Sequence, residues 1–238
     1  MRGRTLGAIA GALALTPLLA VSGDFTSLGA LAQSEFRKLS EDVGAAVSYK
    51  GVTPATPLGL IGFDIGVVLT ATSVDNSTLL ARAGAGGHSE LFIPKLHLYK
   101  GLVAGLDLGG FVGGIPDLSG TIYGVDLRYA FLDDGVATPA VALRGSATAT
   151  NGLGSLDIST FALDLLVSKR FALATPYVGV GAVRVSSEAK GTGLADEKFN
   201  KTRGFVGLNV NLAVVNVAVE AEKMGNNNSL SAKLGWRF

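Results

Sequence analysis

The chain has 238 residues, a formal net charge of +1, 48% hydrophobic and 16% charged residues, and no cysteine, with a mean hydropathy of +0.42. A near-neutral charge without a basic stripe excludes nucleic acid as a partner, and the lack of cysteine excludes a disulfide scaffold. Past the N-terminus, charges such as Asp64, Asp107, Asp126 and Asp164 break each apolar run before the roughly 18 residues of a spanning helix, so the high hydropathy belongs to a soluble β core or to a barrel that crosses a membrane with strands.

The first residues read as a secretory signal. Arg2 and Arg4 precede an Ala/Leu-rich apolar stretch from Leu6 to Val21. Two small-x-small processing sites compete, Ala20-Val21-Ser22 and Ala30-Leu31-Ala32. The second is the better match and sets the expected boundary, with residues 1–32 as signal peptide. A short helix is expected next, capped by Ser34 and with Glu35 in its first turn. Phe36, Leu39 and Val43 form its apolar face, Arg37, Lys38, Glu41 and Asp42 cover the rest, and Gly44 is the expected stop. A helix this short needs a docking surface: the lumen, a rim or the membrane. Residues 33–57 are therefore read as helix and link, a segment able to plug a barrel.

From residue 58 to 238 the period changes to two. Residues 60–72 alternate Ile61, Phe63, Ile65, Val67, Leu69 and Ala71 with Leu60, Gly62, Asp64, Gly66, Val68, Thr70 and Thr72. In 123–131, Tyr123, Val125, Leu127, Tyr129 and Phe131 share one face, and Gly124, Asp126, Arg128 and Ala130 the other. The same alternation runs through 159–171, 203–212 and 215–222, and the last strand sets Leu230, Ala232, Leu234, Trp236 and Phe238 on one face. Successive strand side chains point to opposite faces, so each strand has one oily and one polar side. A soluble sandwich would alternate likewise. The strand lengths, the secretory signal and the C-terminal Phe238 favour a membrane barrel instead. A final apolar strand ending in phenylalanine resembles the signal by which barrel-insertion machinery recognises its clients.

Connections also sort into two kinds. Residues 100–103, 132–137, 170–175 and 213–214 are short, whereas 75–90, 113–119, 150–157 and 187–201, together with the shorter 225–228, are polar or glycine-rich. That is the pattern of periplasmic turns and extracellular loops. The expectation is an all-β, antiparallel transmembrane β-barrel of about ten strands with a short N-terminal helix; twelve strands is the alternative, and 49–52 is read as a link.

The stretches Gln33-Ser34-Glu35-Phe36, Gly62-Phe63-Asp64-Ile65-Gly66, Pro94-Lys95-Leu96-His97-Leu98 and 137–145 are similar to those of an uncharacterised proteobacterial outer-membrane β-barrel family. The resemblance implies the barrel and processing after Ala32. It implies nothing on function.

If the oily faces meet outer-membrane lipid, the interleaved polar residues face the lumen. The candidates are Asp64, Lys95, His97, Asp107, Asp126, Arg128, Arg144, Asp164, Arg203, Glu220, Glu222 and Lys233, with Arg184 as a further one of blurred phase. A charge on the lipid face costs roughly 2–4 kcal/mol at the midplane. The two signs nearly balance, which suits a structural salt-bridge network in a narrow barrel as well as a passive channel for small solutes. The alternatives are a ligand- or adhesion-type binding barrel, which the charge balance also suits, and an outer-membrane enzyme, which rests on His88, beside Ser89 and Glu90, and on His97. Two histidines without cysteine offer no metal-ligand spacing, and Gly84-Ala85-Gly86-Gly87 lacks the Lys-Ser/Thr of a phosphate loop. Neither cofactor nor metal is expected.

Overall fold

The computed structural model describes residues 24–116 and 118–238. The signal features at Arg2, Arg4, 6–21 and Ala20-Val21-Ser22 lie outside the described residues. A 3-10 turn at Leu28–Ala30 precedes helix α1 (Gln33–Val47). Strand β1 (Phe63–Ser73) follows, then helix α2 (Ser77–Arg82), β2 (Glu90–Gly101), β3 (Leu106–Gly114), β4 (Thr121–Leu132) and β5 (Ala140–Asn151). The chain continues as β6 (Leu156–Ser168), β7 (Ala174–Ala189), β8 (Glu197–Leu212), β9 (Val215–Met224) and β10 (Asn227–Arg237).

Each strand pairs antiparallel with its sequence neighbours, and β1 closes the sheet on β10. The result is a closed barrel of ten strands without a free edge. Closure extends to the last residue, since Phe63 and Phe238 exchange backbone hydrogen bonds of 2.7 and 3.0 Å. Both ends of the sheet lie at the turn end, with the connections 102–105, 133–139, 169–173 and 213–214. The other, loop end carries 74–89, which includes α2, and the crests of the two longest strands, β7 and β8. Those strands run further than the alternation predicts, so the expected long link 187–201 shrinks to 190–196.

The period-two pattern settles which face is which. On β2 and β4 every second residue is buried and the others are exposed. Exposed Val67, Leu96, Leu108, Val125, Leu163 and Val206 belong to an apolar outer belt. Aromatic side chains cluster toward its two margins: Tyr129, Phe131, Trp236 and Phe238 at the turn end, and Phe92, Tyr123 and Phe161 toward the loop end.

Helix α1 lies inside the barrel against β6 and β7. Phe36, Leu39 and Val43 are fully buried, as their spacing predicts. Each such burial contributes roughly 1.5–3 kcal/mol, and it gives the short helix the support it lacks in water. Two local expectations fail. Ser34 does not cap the helix; the Ala32 N–H donates to Glu35 Oε2 at 2.9 Å instead. Gly44 does not end it, and the helix continues to Val47. Its glycine serves close packing: a Cβ there would sit 2.8 Å from Val185 Cγ1.

Candidate functional site

All twelve predicted lumen residues are buried inside the barrel. Eight of them form ion pairs, Lys95, His97, Asp126 and Glu220 being in none among the described residues, and the segment after α1 runs through the middle of the set. At the turn end, Asp64 on β1 meets Lys233 Nζ at 2.8 Å and Arg237 at 3.4 Å, both on β10. Asp107 on β3 accepts from Arg128 Nη2 on β4 at 2.6 Å. Asp164 on β6 lies between two guanidinium groups. Arg144 Nε on β5 reaches it at 3.0 Å, and Arg203 on β8 donates twice, at 2.7 and 2.5 Å. On β9, Glu222 faces Arg203 at 3.5 Å, and Glu220 accepts from the Tyr177 hydroxyl at 3.0 Å.

The segment 48–59 supplies what the strands leave unmatched. Tyr49 donates its hydroxyl hydrogen to Asp126 at 2.6 Å, and its carbonyl accepts from Arg203 Nη1 at 2.6 Å. Lys50 Nζ lies 3.4 Å from Glu222 and donates to the Ala45 carbonyl at 2.6 Å. Arg128 binds Thr53 Oγ1 at 3.3 Å and the Pro54 carbonyl. Arg237 also reaches Thr53, at 2.9 Å, and Leu58 N donates to Asp107 at 3.0 Å. From Tyr49 to Ala55 every residue is buried. Residues 49–52, expected as a link, belong to no strand.

Two backbone positions fit the segment to its channel. Gly51 passes so close to Arg144 that a Cβ would collide with the guanidinium. Val52 has a φ of 48°, rare for a β-branched residue. Such strain persists only where the surroundings over-determine the conformation, and Val52 is clamped against Val68 and Ala218.

The loop end is closed by apolar packing. Phe25, Leu28 and Leu31 belong to one buried cluster with Leu80, Ile115, Leu153 and Leu156. Asp42, on the polar side of α1, is buried; it accepts from the backbone and side chain of Asn76 at 2.9 and 3.0 Å and from Asn227 at 2.7 Å. Glu35 and Arg82 form an exposed pair at 2.6 Å.

Arg184 is a correction. It faces outward, while its neighbours Val183 and Val185 point inward. The inward positions beside it are the two valines, and Val185 packs on Gly44 of α1. Alternation in 203–212 also overlooked Lys201, which faces in and pairs with Glu41 at 2.8 Å. Arg237 shares the parity of Lys233 and was legible from it. Tyr49 and Lys50 lie outside any periodic segment and carried no such signal.

His97 stacks on Phe111 with ring centroids 5.2 Å apart, and its two nitrogens find no partner among the described residues. Lys95 Nζ lies 5.2 Å from the centroid of the same ring. No hydrogen bond joins His88 to a carboxylate among the described residues.

No family model matches the chain, and no curated protein matches it. Solved structures similar to it are outer-membrane barrels at low identity. The KdgM porin in complex with disordered oligogalacturonate has 8% identity and a TM-score of 0.40, covering 74% of this chain and 99% of its own. OprG of Pseudomonas aeruginosa has 11% identity and a TM-score of 0.35, covering 78% and 99%. Ail of Yersinia pestis has 14% identity and a TM-score of 0.27, covering 74% and 97%. The fold rests on the closed strand order itself rather than on these likenesses.

Proposed function

We propose that the protein is an outer-membrane β-barrel, exported through the periplasm, whose lumen is sealed by its own N-terminal segment. It then serves as a structural barrel and not as a pore for small solutes. The apolar belt with aromatic residues toward both margins supports the membrane reading, because it matches the lipid-facing band of such barrels. Outer-membrane lipids are the partners of that belt. The C-terminal strand ending in Phe238 is the element offered to the insertion machinery before β10 closes on β1.

One observation carries the sealed reading. Residues 49–55 are buried in the lumen, and their partners, Asp126, Arg128, Arg203, Glu222 and Arg237, come from β4, β8, β9 and β10. A ten-stranded barrel has little interior beyond its own side chains, and here a backbone runs through it as well. Transport would require this segment to leave a network of charged hydrogen bonds. Planar-bilayer recordings of the intact protein test the proposal. A silent bilayer agrees with it, and steady single-channel steps refute it. Outer-membrane fractionation and heat-modifiable gel mobility test the location; a soluble periplasmic protein of unchanged mobility contradicts it.

A further inference from the structure

The path of the N-terminal segment has a direction. Residues 24–32 are built into the loop end: Asp24 N donates to the Gly84 carbonyl at 3.2 Å, Ser27 N to Ala83 at 3.1 Å, and Ser155 N to Phe25 at 3.0 Å. Gln33 then bonds Ala195 in the β7–β8 connection, at 3.0 and 2.9 Å. Helix α1 descends from there, and Leu58 reaches Asp107 near the turn end. At that end Gly62 and Gly101 are joined by a backbone hydrogen bond of 3.1 Å, and β1 begins. The segment has therefore crossed the whole barrel before the first strand starts.

In a membrane barrel the short turns and both sheet ends face the periplasm, and the longer loops face outward. The strand β1 alone rises roughly 35 Å at about 3.3 Å per residue, before tilt. Residues 24–32 consequently lie on the far side of the membrane from the point where the chain enters the sheet. We propose that the barrel carries its own N-terminus through its lumen and displays residues 24–32 at the cell surface, with the signal removed after Ser22. Processing after Ala32 would discard Phe25, Leu28 and Leu31, which are buried in the cap of the loop end. The passenger is the chain's own N-terminal segment, and the clip formed by 24–32 anchors it beside the 3-10 turn.

This inference rests on the membrane-barrel reading, and the test separates the two. The chain has no cysteine, so single cysteines report position without background. Three variants suffice: Ser27→Cys on the clip, Gly193→Cys on the loop end, and Val136→Cys on the turn end, all at exposed positions. Whole cells are treated with a bulky membrane-impermeant maleimide, before and after lysis, and the mature mass is measured. Labelling of S27C and G193C on intact cells, with V136C reacting only after lysis, is the expected result. Labelling of G193C with S27C protected until lysis overturns the inference and leaves the membrane barrel standing. A mature chain beginning at Gln33 overturns it equally. Reaction of V136C but not G193C on intact cells reverses the orientation and overturns it. A protein missing from the outer-membrane fraction defeats the underlying reading instead.

Discussion

The Tyr49 hydroxyl donates a 2.6 Å hydrogen bond to Asp126, joining the segment inside the barrel to β4 of its wall. The same oxygen lies 3.0 Å from the Tyr99 hydroxyl on β2. One tyrosine thus ties the buried segment to two strands. Replacing Tyr49 with phenylalanine keeps the ring and removes the donor to a buried carboxylate. A buried acceptor left without its partner costs about 1–3 kcal/mol. The Y49F barrel should lose its heat-resistant gel mobility at a lower temperature than the wild type, with unchanged insertion into the membrane.

Asp164 is the acid with the most at stake, because Arg144 and Arg203 both depend on it. Removing one partner of a buried ion pair costs about 3–5 kcal/mol, since the remaining charge stays uncompensated. D164A should therefore fall further in thermal unfolding than Y49F. Replacing Asp164, Arg144 and Arg203 together with apolar residues should recover part of the loss, which unfolding of the triple variant measures directly.

Asp42 fastens α1 to the 74–89 connection through Asn76 and to β10 through Asn227. Asp42→Ala leaves the Asn76 N–H and both amide groups without this acceptor. The expected consequence is local, a loosened loop end with the barrel intact. Limited proteolysis should cut 74–89 several-fold faster in D42A, while heat-modifiability is retained.

The exposed Glu35–Arg82 pair gives the clip a mild dependence on pH. The Arg82 hydrogen bond, helped by the Ala32 N–H, holds the Glu35 carboxyl below the usual glutamate range. Its folded pKa is lower than its unfolded one of about 4.3, so its stabilisation is present above that value. It is lost as the pH falls through the lower folded value. Protection of residues 28–36 against hydrogen exchange, taken relative to the intrinsic rate at each pH, should fall in acid for the wild type, whereas E35Q should be less protected already at neutral pH. The effect should fade with added salt, because exposed pairs are screened.

Much of this architecture is legible in the residues. Tyr123 to Phe131 alternates cleanly because each strand has lipid-type surface on one side and polar interior on the other. The parity of Asp126 and Arg128 against Val125 and Leu127 is enough to assign the lumen. The same logic misleads at Arg184, because β7 carries valines on both faces, Val178 and Val180 outside and Val183 and Val185 inside. Alternation reads the wall but not what the wall encloses. Residues 49–55 have no period, because a segment buried on all sides has no oily and polar face to alternate. Their contacts are long-range and specific, such as Lys50 with Glu222, so no local pattern announces them. The C-terminal end of α1 escapes local reading for a related reason: Gly44 is small for Val185, a residue about 140 positions away, and not for a turn.

Helix α1 lies inside the barrel, and one contact tests that placement directly. Ser40 on the helix and Ser187 on β7 have hydroxyl oxygens 2.6 Å apart, both buried. In a chain without cysteine, the double variant S40C/S187C places two thiols at disulfide range. Isolated outer membranes treated with a mild oxidant should yield the intramolecular cross-link in most molecules, seen as faster migration of the unfolded chain that reductant reverses. Two thiols that stay free in a correctly inserted, heat-modifiable barrel would mean that the helix lies elsewhere and that the lumen is not sealed as described.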